Sequence, residues 1–168
     1  MTKNKFLIHG TKCFLVPSNT FVLTLIDRED IKLLSNHSWY LDKSGYLRCT
    51  MNKSHVSLHR FILGLDSTDK RVVDHINNSK LDNRKSNLRV CTHLGNNQNR
   101  GKYLHNTSSK YKGVSWNKYH KKWVASSQVE GKRVFIGYFD DEEECAKAYD
   151  EFVRRHHGEF AKLNYKKC

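Results

Sequence analysis

Residues 110–157 leave little freedom of fold. Three segments, Tyr111 to Asn117, Lys122 to Val129 and Lys132 to Tyr138, are rich in β-branched and aromatic residues, and Glu130-Gly131 between the last two is a tight hairpin turn. From Glu142 to about His157 the apolar residues Cys145, Ala148, Tyr149, Phe152 and Val153 recur at helical spacing. Asp140 with Glu143 resembles a capping box, and Gly158 stops the helix. Three strands followed by one amphipathic helix pack with the apolar helix face over one side of the sheet, and Trp123, Phe135, Tyr149 and Phe152 are assigned to that core. Charge divides in the same way. Residues 110–133 hold seven basic residues and one acidic one, whereas 140–151 hold seven acidic and one basic. The strands therefore form a cationic face, and the acids stand at the helix start, where they suit the helix dipole.

The rest of the chain is also basic. Lys and Arg number 30 against 17 Asp and Glu, a net +13, and the excess is shared by residues 1–65, 66–105 and 106–168. Such a balance points to a polyanionic partner lying along the whole molecule. An anionic membrane is set aside as that partner, because the best apolar run, Phe21 to Ile26, falls far short of the roughly 18 to 20 residues of a span. Residues 1–16 have no continuous apolar centre of a secretion signal, so a cytoplasmic protein is expected. The five cysteines are scattered and odd in number, which argues for thiols rather than disulfides, and no four-ligand zinc cluster is present.

Residues 1–65 read as short strands around one helix. Lys12 to Val16 and Thr20 to Leu25 are strands separated by Pro17-Ser18-Asn19. Asp27 caps a helix to about Asn36 that buries Ile31, Leu33 and Leu34, and Trp39 to Asp42 and Tyr46 to Met51 follow as strands. Val72 to Ile76 reads as a strand, Asn87 to Thr92 as its hairpin partner across a polar loop, and His93 to Arg100 as a short helix. Apolar periodicity stops between residues 99 and 109. The expected organisation is a domain over 1–98, a linker over 99–109 and a second domain over 110–168, in the α+β class.

Within the hairpin, Asp74-His75 pairs a hard oxygen ligand with a titratable ring, the groups that metal-assisted phosphodiester cleavage needs. Asp-His pairs are common in turns and Asn-rich loops are ordinary turn chemistry; the joint spacing and the basic surroundings raise the pair above that background. The segment from His59-Arg60 to Arg100 resembles the HNH endonuclease family with its ββα-metal fold, in the form found in phage and intron-encoded homing enzymes. Its landmarks are Asp74-His75-Ile76-Asn77, Leu81-Asp82-Asn83-Arg84, Ser86-Asn87-Leu88-Arg89 and Asn96-Asn97-Gln98-Asn99-Arg100. The resemblance implies His75 as general base, Asp74 and Asn96 as ligands of one divalent cation, and Asn87 as the residue that orients His75 and its loop. Asn stands at the third position in place of the name-giving His, which favours Mg²⁺, with Mn²⁺ second and no zinc; Asn97 is an alternative to Asn96.

Residues 109–165 resemble the APETALA-two, ethylene-response type of DNA-binding domain. Tyr111-Lys112-Gly113-Val114, Lys122-Trp123-Val124-Ala125, Ile136-Gly137-Tyr138-Phe139-Asp140 and Gly158-Glu159-Phe160-Ala161 carry the resemblance. Lys112 stands where Arg is usual, so a sequence preference does not transfer. The DNA-contact candidates are Arg71, Lys80, Arg84, Arg89 and Arg100 around the nuclease segment, and Lys112, Trp116, Lys118, Lys121, Lys122, Gln128, Lys132 and Arg133 on the sheet; strand alternation lets about half of the latter face DNA. The expectation is a site-specific DNA endonuclease of the HNH homing type, phage- or intron-encoded and acting in a bacterial cytoplasm. Double-stranded DNA is its partner, as a monomer or a DNA-assembled dimer. The rival readings are a catalytically inactive DNA-binding regulator and an RNA-binding protein.

Overall fold

The structure, a computed structural model, describes residues 4–66, 68–102 and 107–165. The chain divides into two units, Met1–Cys91 and Thr92–Cys168. Both mix short helices with small antiparallel sheets. No helix of the described residues is long and apolar enough to cross a membrane.

In the first unit, β1 (Lys5–His9), β2 (Lys12–Val16) and β3 (Thr24–Ile26) form an antiparallel sheet in that order. Gly10 and Thr11 form the β1–β2 turn between the paired His9 and Lys12, and Gly10 takes φ +58°. The expected helix from Asp27 to Asn36 is shorter. It is a 3-10 turn, Arg28–Asp30, running into the single helical turn α1 (Ile31–Leu34), and it buries Leu34 but leaves Leu33 exposed. A second sheet holds β4 (Tyr40–Leu41), β5 (Leu47–Met51) and β6 (Ser54–Ser57), followed by α2 (Leu58–Ile62). Last comes the two-stranded hairpin of β7 (Val72–His75) and β8 (Leu88–Cys91), with the loop between them closing in a 3-10 turn, Lys85–Asn87. One core serves the unit: Leu15, Ile26, Leu34, Trp39, Leu47, Leu58 and Leu88 are buried together. Leu88 ties the hairpin into it, a burial worth roughly 1.5–3 kcal/mol.

The second unit begins with α3 (His93–Asn99), whose first turn is capped by the Thr92 hydroxyl accepting from Gly95 N–H at 3.2 Å. Strands β9 (Val114–Asn117), β10 (Lys122–Val129) and β11 (Lys132–Phe139) form an antiparallel sheet with β10 central, and α4 (Glu142–His157) covers one face. Glu130 and Gly131 turn the β10–β11 hairpin with φ of +51° and +79°, the two positive values a type I′ turn requires. The cap of α4 is Asp141, not Asp140: its carboxylate accepts from Glu143 and Glu144 N–H at 2.8 Å each. Val114, Ala125, Cys145, Ala146, Tyr149 and Val153 form the core. Gly113 is required there, since a Cβ at its φ of +76° would lie 2.0 Å from the Tyr149 ring.

The boundary between the units lies ahead of α3, whereas sequence texture alone keeps that helix with the nuclease and runs a linker over 99–109. Gly95 packs against the Phe160 ring, and the Lys112 amine bonds to the carbonyls of Gln98 and Arg100, which fastens α3 to the C-terminal sheet. Residues 103–106 of the expected linker lie outside the described residues, as does Cys168. Cys13, Cys49, Cys91 and Cys145 are buried, and none of these four forms a disulfide.

Candidate functional site

Pairing of β7 with β8 sets Asp74 opposite Arg89 and His75 opposite Leu88. Asp74 is only 4% exposed, and both Arg89 donors converge on its Oδ2, Nε at 2.9 Å and Nη2 at 2.7 Å. Arg89 is itself largely buried, so this cross-strand pair fixes the carboxylate in the hairpin. The sequence places Arg89 at a phosphate; the register turns it inward instead.

His75 is 6% exposed. Its Nε2 lies 3.3 Å from Asn83 Oδ1, and Asn83 Nδ2 donates to the Lys80 carbonyl at 3.0 Å. That second bond fixes which end of the amide faces the ring. Asn83 presents an acceptor, so Nε2 carries the proton and the lone pair of the neutral imidazole belongs to Nδ1. Burial lowers the His75 pKa below its ordinary 6.5, outweighing the pull upward from Asn83, Asp74 and Asp82. A neutral ring at neutral pH is the form that takes a proton. His59 stands edge-on to His75 with ring centroids 5.2 Å apart, and burial with the neighbouring His75, Arg60 and Arg48 lowers its pKa to about 3.

Asn87 works one step further back. Its Oδ1 accepts from Asn77 N–H at 3.0 Å, and its Nδ2 donates to Asn77 Oδ1 at 3.0 Å and to the Asp82 carbonyl at 2.8 Å. It therefore shapes the loop that carries Asn83, while Asn83 meets the ring. The loop is also pinned to the N-terminal strand: Leu25 N–H donates to Leu81 O at 2.8 Å and Asn83 N–H to Leu25 O at 2.8 Å. Asp27, expected as a helix cap, instead accepts from Lys85 N–H at 2.7 Å, and the Lys85 amine bridges Glu29 and Asp30. In the sequence Asn83 is no more than a landmark; its role depends on a bond to β3 that no local pattern encodes.

Asn96 is partly exposed on α3 of the second unit and Asn97 is exposed. Asp74, in the first unit, and Asn96, in the second, each offer hard oxygen, the donor chemistry of Mg²⁺, and Asp74 already meets Arg89. No group of three or more His, Cys, Asp or Glu able to hold a metal occurs among the described residues. Of the other cations, Arg71 pairs with Asp69 at 2.6 Å and Arg84 with Asp82 at 2.7 Å. Lys80 donates to Ser44 O at 2.8 Å and lies over the Tyr46 ring, while Arg100 is exposed.

On the C-terminal sheet, register decides which side chains share a face. Val114, Ala125 and Ser127 are buried on the helix side, so Ser126 and Gln128 point away from it. Ile136 is an extra residue in β11, a bulge that leaves Ser126 opposite Phe135 and Gln128 opposite Arg133. The outer face therefore carries Lys122, Val124, Ser126, Gln128, Arg133, Phe135 and Tyr138. Phe135, assigned to the core from sequence, is 56% exposed. Two expected contacts fall on the other side: Trp116 stacks edge-on against Trp123 at 5.1 Å, and Lys132 pairs with Val129 at the strand end. Lys112 is spent on the carbonyls of Gln98 and Arg100, and burial lowers its pKa to about 8. Lys118 and Lys121 are exposed in the β9–β10 turn, and Lys122 bonds to Asp140 at 3.1 Å. Sequence reasoning does not find the exposed aromatic run of Tyr119, His120, Tyr138 and Phe135, with successive centroids 4.9, 4.7 and 4.9 Å apart.

No family model matches the chain. It is 44% identical over 59 residues to an AP2/ERF and B3 domain-containing transcription repressor of Arabidopsis thaliana, and 32% identical over 66 residues to an AP2-like ethylene-responsive transcription factor of the same plant. These matches cover 35% and 39% of this chain but 16% and 15% of the plant proteins, so they concern one module. An uncharacterized HNH endonuclease of Acanthamoeba polyphaga mimivirus is 36% identical over 152 residues, which is 86% of this chain and 75% of the viral protein. A match of that extent, over a chain whose β7–β8 hairpin buries Asp74 beside His75, carries the assignment: the chain belongs to the HNH endonuclease family.

Proposed function

We propose that this chain is a site-specific DNA endonuclease of the homing type, in which the Asp74-His75 hairpin cuts and the C-terminal sheet reads. The observation that carries the reading is the setting of His75: a buried, neutral imidazole whose Nε2 proton is held by Asn83, beside a carboxylate fixed by Arg89. In this mechanism His75 takes a proton from the attacking water through Nδ1. Asn83 holds the ring through its Nε2–H, and Asn87 holds the loop. Asp74 and Asn96 would hold one divalent cation, Mg²⁺ first and Mn²⁺ second, which supplies charge stabilisation at the scissile phosphate. The hairpin, with α3 after it, would be the ββα-metal motif of the family. Residues up to 98 would form the nuclease and 110–168 the reader, its outer face entering a major groove of double-stranded DNA. One such site per chain nicks one strand; a double break requires two chains assembled on DNA or a second nicking event.

A plasmid library with randomised inserts, incubated with the chain and Mg²⁺ or Mn²⁺ and sequenced at its cut ends, tests this. Cleavage at a defined site, lost in His75→Ala, is expected. Tight binding without cutting across several divalent ions would overturn the enzyme reading in favour of a DNA-binding regulator.

A further inference from the structure

Four cations follow His75 in the hairpin: Lys80, Arg84 and Lys85 in the loop and Arg89 on β8. Three of them are matched by carboxylates, Arg84 by Asp82 at 2.7 Å, Lys85 by Asp30 at 3.0 Å and Arg89 by Asp74 at 2.7 Å. Lys80 meets no carboxylate among the described residues, so its charge is not cancelled.

Lys80 is exposed, yet its side chain is held in one place. Its Cδ lies 3.7 Å from where a Cβ of residue 45 would stand, and its Nζ donates to Ser44 O at 2.8 Å and lies 4.4 Å above the centre of the Tyr46 ring. The seat is rigid in turn. Asp42 Oδ1 accepts from Ser44 N–H, the Ser44 hydroxyl and Tyr46 N–H at 2.9, 2.7 and 3.0 Å, and Gly45 N–H donates to Asp42 O at 3.0 Å. At its backbone, Lys80 O accepts from Asn83 Nδ2, the amide that also meets His75. Fixing a lysine costs rotamer entropy that a solvated lysine keeps. Here the ordered ammonium has neutral partners and retains donor capacity for an anion.

Tyr46 links this ammonium to the base, since its ring centroid is 6.1 Å from that of His75. In phosphodiester hydrolysis the water oxygen bonds to phosphorus and its proton passes to His75. The P–O3′ bond breaks, its electron pair leaves on the 3′ oxygen, and solvent protonates that oxygen. Negative charge meanwhile builds on the non-bridging oxygens, where a donor fixed in advance needs no reorganisation. We propose that Lys80 is a catalytic residue, its ammonium, seated on Ser44 and Tyr46, binding a non-bridging oxygen of the scissile phosphate. The inference rests on the proposed cleavage by the Asp74-His75 hairpin and gives Lys80 a role there beyond general contact with the DNA backbone.

The test uses the full-length chain and a duplex carrying the cut site found in the plasmid library. Lys80→Met should lower kcat about 100-fold with little change in KM, and Lys80→Arg, which keeps the charge, should recover part of the rate. A second readout is binding with a chelator present, so that nothing is cut. A neutral methylphosphonate is placed at the cut linkage and, in turn, at the linkage on either side. At the cut linkage it should cost the wild type about tenfold in affinity and cost Lys80→Met nothing. Equal losses in the two proteins, or a loss that depends on Lys80 only at a flanking linkage, would overturn the inference and leave the enzyme reading standing. So would an unchanged kcat in Lys80→Met. A wild-type chain that cuts no duplex would overturn both.

Discussion

Replacing Arg89 by methionine tests whether the hairpin is held by a buried ion pair. The Asp74 side chain is 5% exposed and that of Arg89 12%, and two donors meet one oxygen at 2.9 and 2.7 Å. An exposed pair would contribute about 0–1 kcal/mol. Here Arg89→Met removes the guanidinium that meets the buried carboxylate, a loss of about 3–5 kcal/mol. At about 1.4 kcal/mol per decade, even the lower figure speeds amide exchange about a hundredfold. The readout is hydrogen exchange by NMR at the β7 and β8 amides, which reports on the first unit alone. Asp74→Asn in the same chain removes that carboxylate, so the double variant should recover most of the protection. Less than about a tenfold change in the single variant would refute the argument. A second measurement separates structure from DNA contact. Loss of a phosphate contact lowers the slope of log affinity against log salt by about 0.9, and Arg89→Met should leave that slope unchanged.

Asn83→Leu keeps a similar volume but removes the acceptor for His75 Nε2–H; cleavage kcat should fall about 10- to 100-fold with little change in KM, and Asn83→Asp, which retains an acceptor, should restore much of it. Equal loss in both variants would assign Asn83 to the fold alone. The pH dependence of stability follows from His59, whose pKa is about 3 in the fold against an ordinary 6.5. As pH falls below about 6.5 the unfolded chain takes up the proton first, so stability present above that value is lost progressively down to about pH 3, at roughly 1.4 kcal/mol per unit. Denaturant unfolding at pH 7 and pH 5 should therefore differ by about 2 kcal/mol from this residue, and His59→Gln should reduce the difference by that amount.

Much of this architecture is readable from local pattern. Strand β10 and helix α4 have the expected bounds, and the strand, loop, strand, helix order from residue 72 to 99 is found. The departures share a cause: each depends on a partner distant in sequence or on a break in a regular count. Counting by twos from the core residue Phe139 places Phe135 inside, and the bulge at Ile136 reverses that count. Arg89 carries the same charge as any surface arginine, and only the β7–β8 register shows that it meets Asp74. Lys112 lies in a basic stretch, yet its amine is taken up by two helix-end carbonyls. Leu33 satisfies helical spacing in a segment that makes only one turn. Asp74 and His75 are legible because both lie on one short strand; Asn83 is not, because the loop that delivers it is shaped by β3.

That loop has a bearing on how the molecule comes into being. Leu25, Asp27 and Asp30 grip Leu81, Asn83 and Lys85 across more than fifty residues of intervening chain. Pairings so far apart in sequence form late, after local hairpins and turns. Asp74 and His75 can therefore stand side by side in a nascent β7 strand before the ring has its Asn83 partner. A chain still emerging from the ribosome carries Asp74 and His75 without the Asn83 contact, and that contact arrives only when Leu25 has paired with the loop.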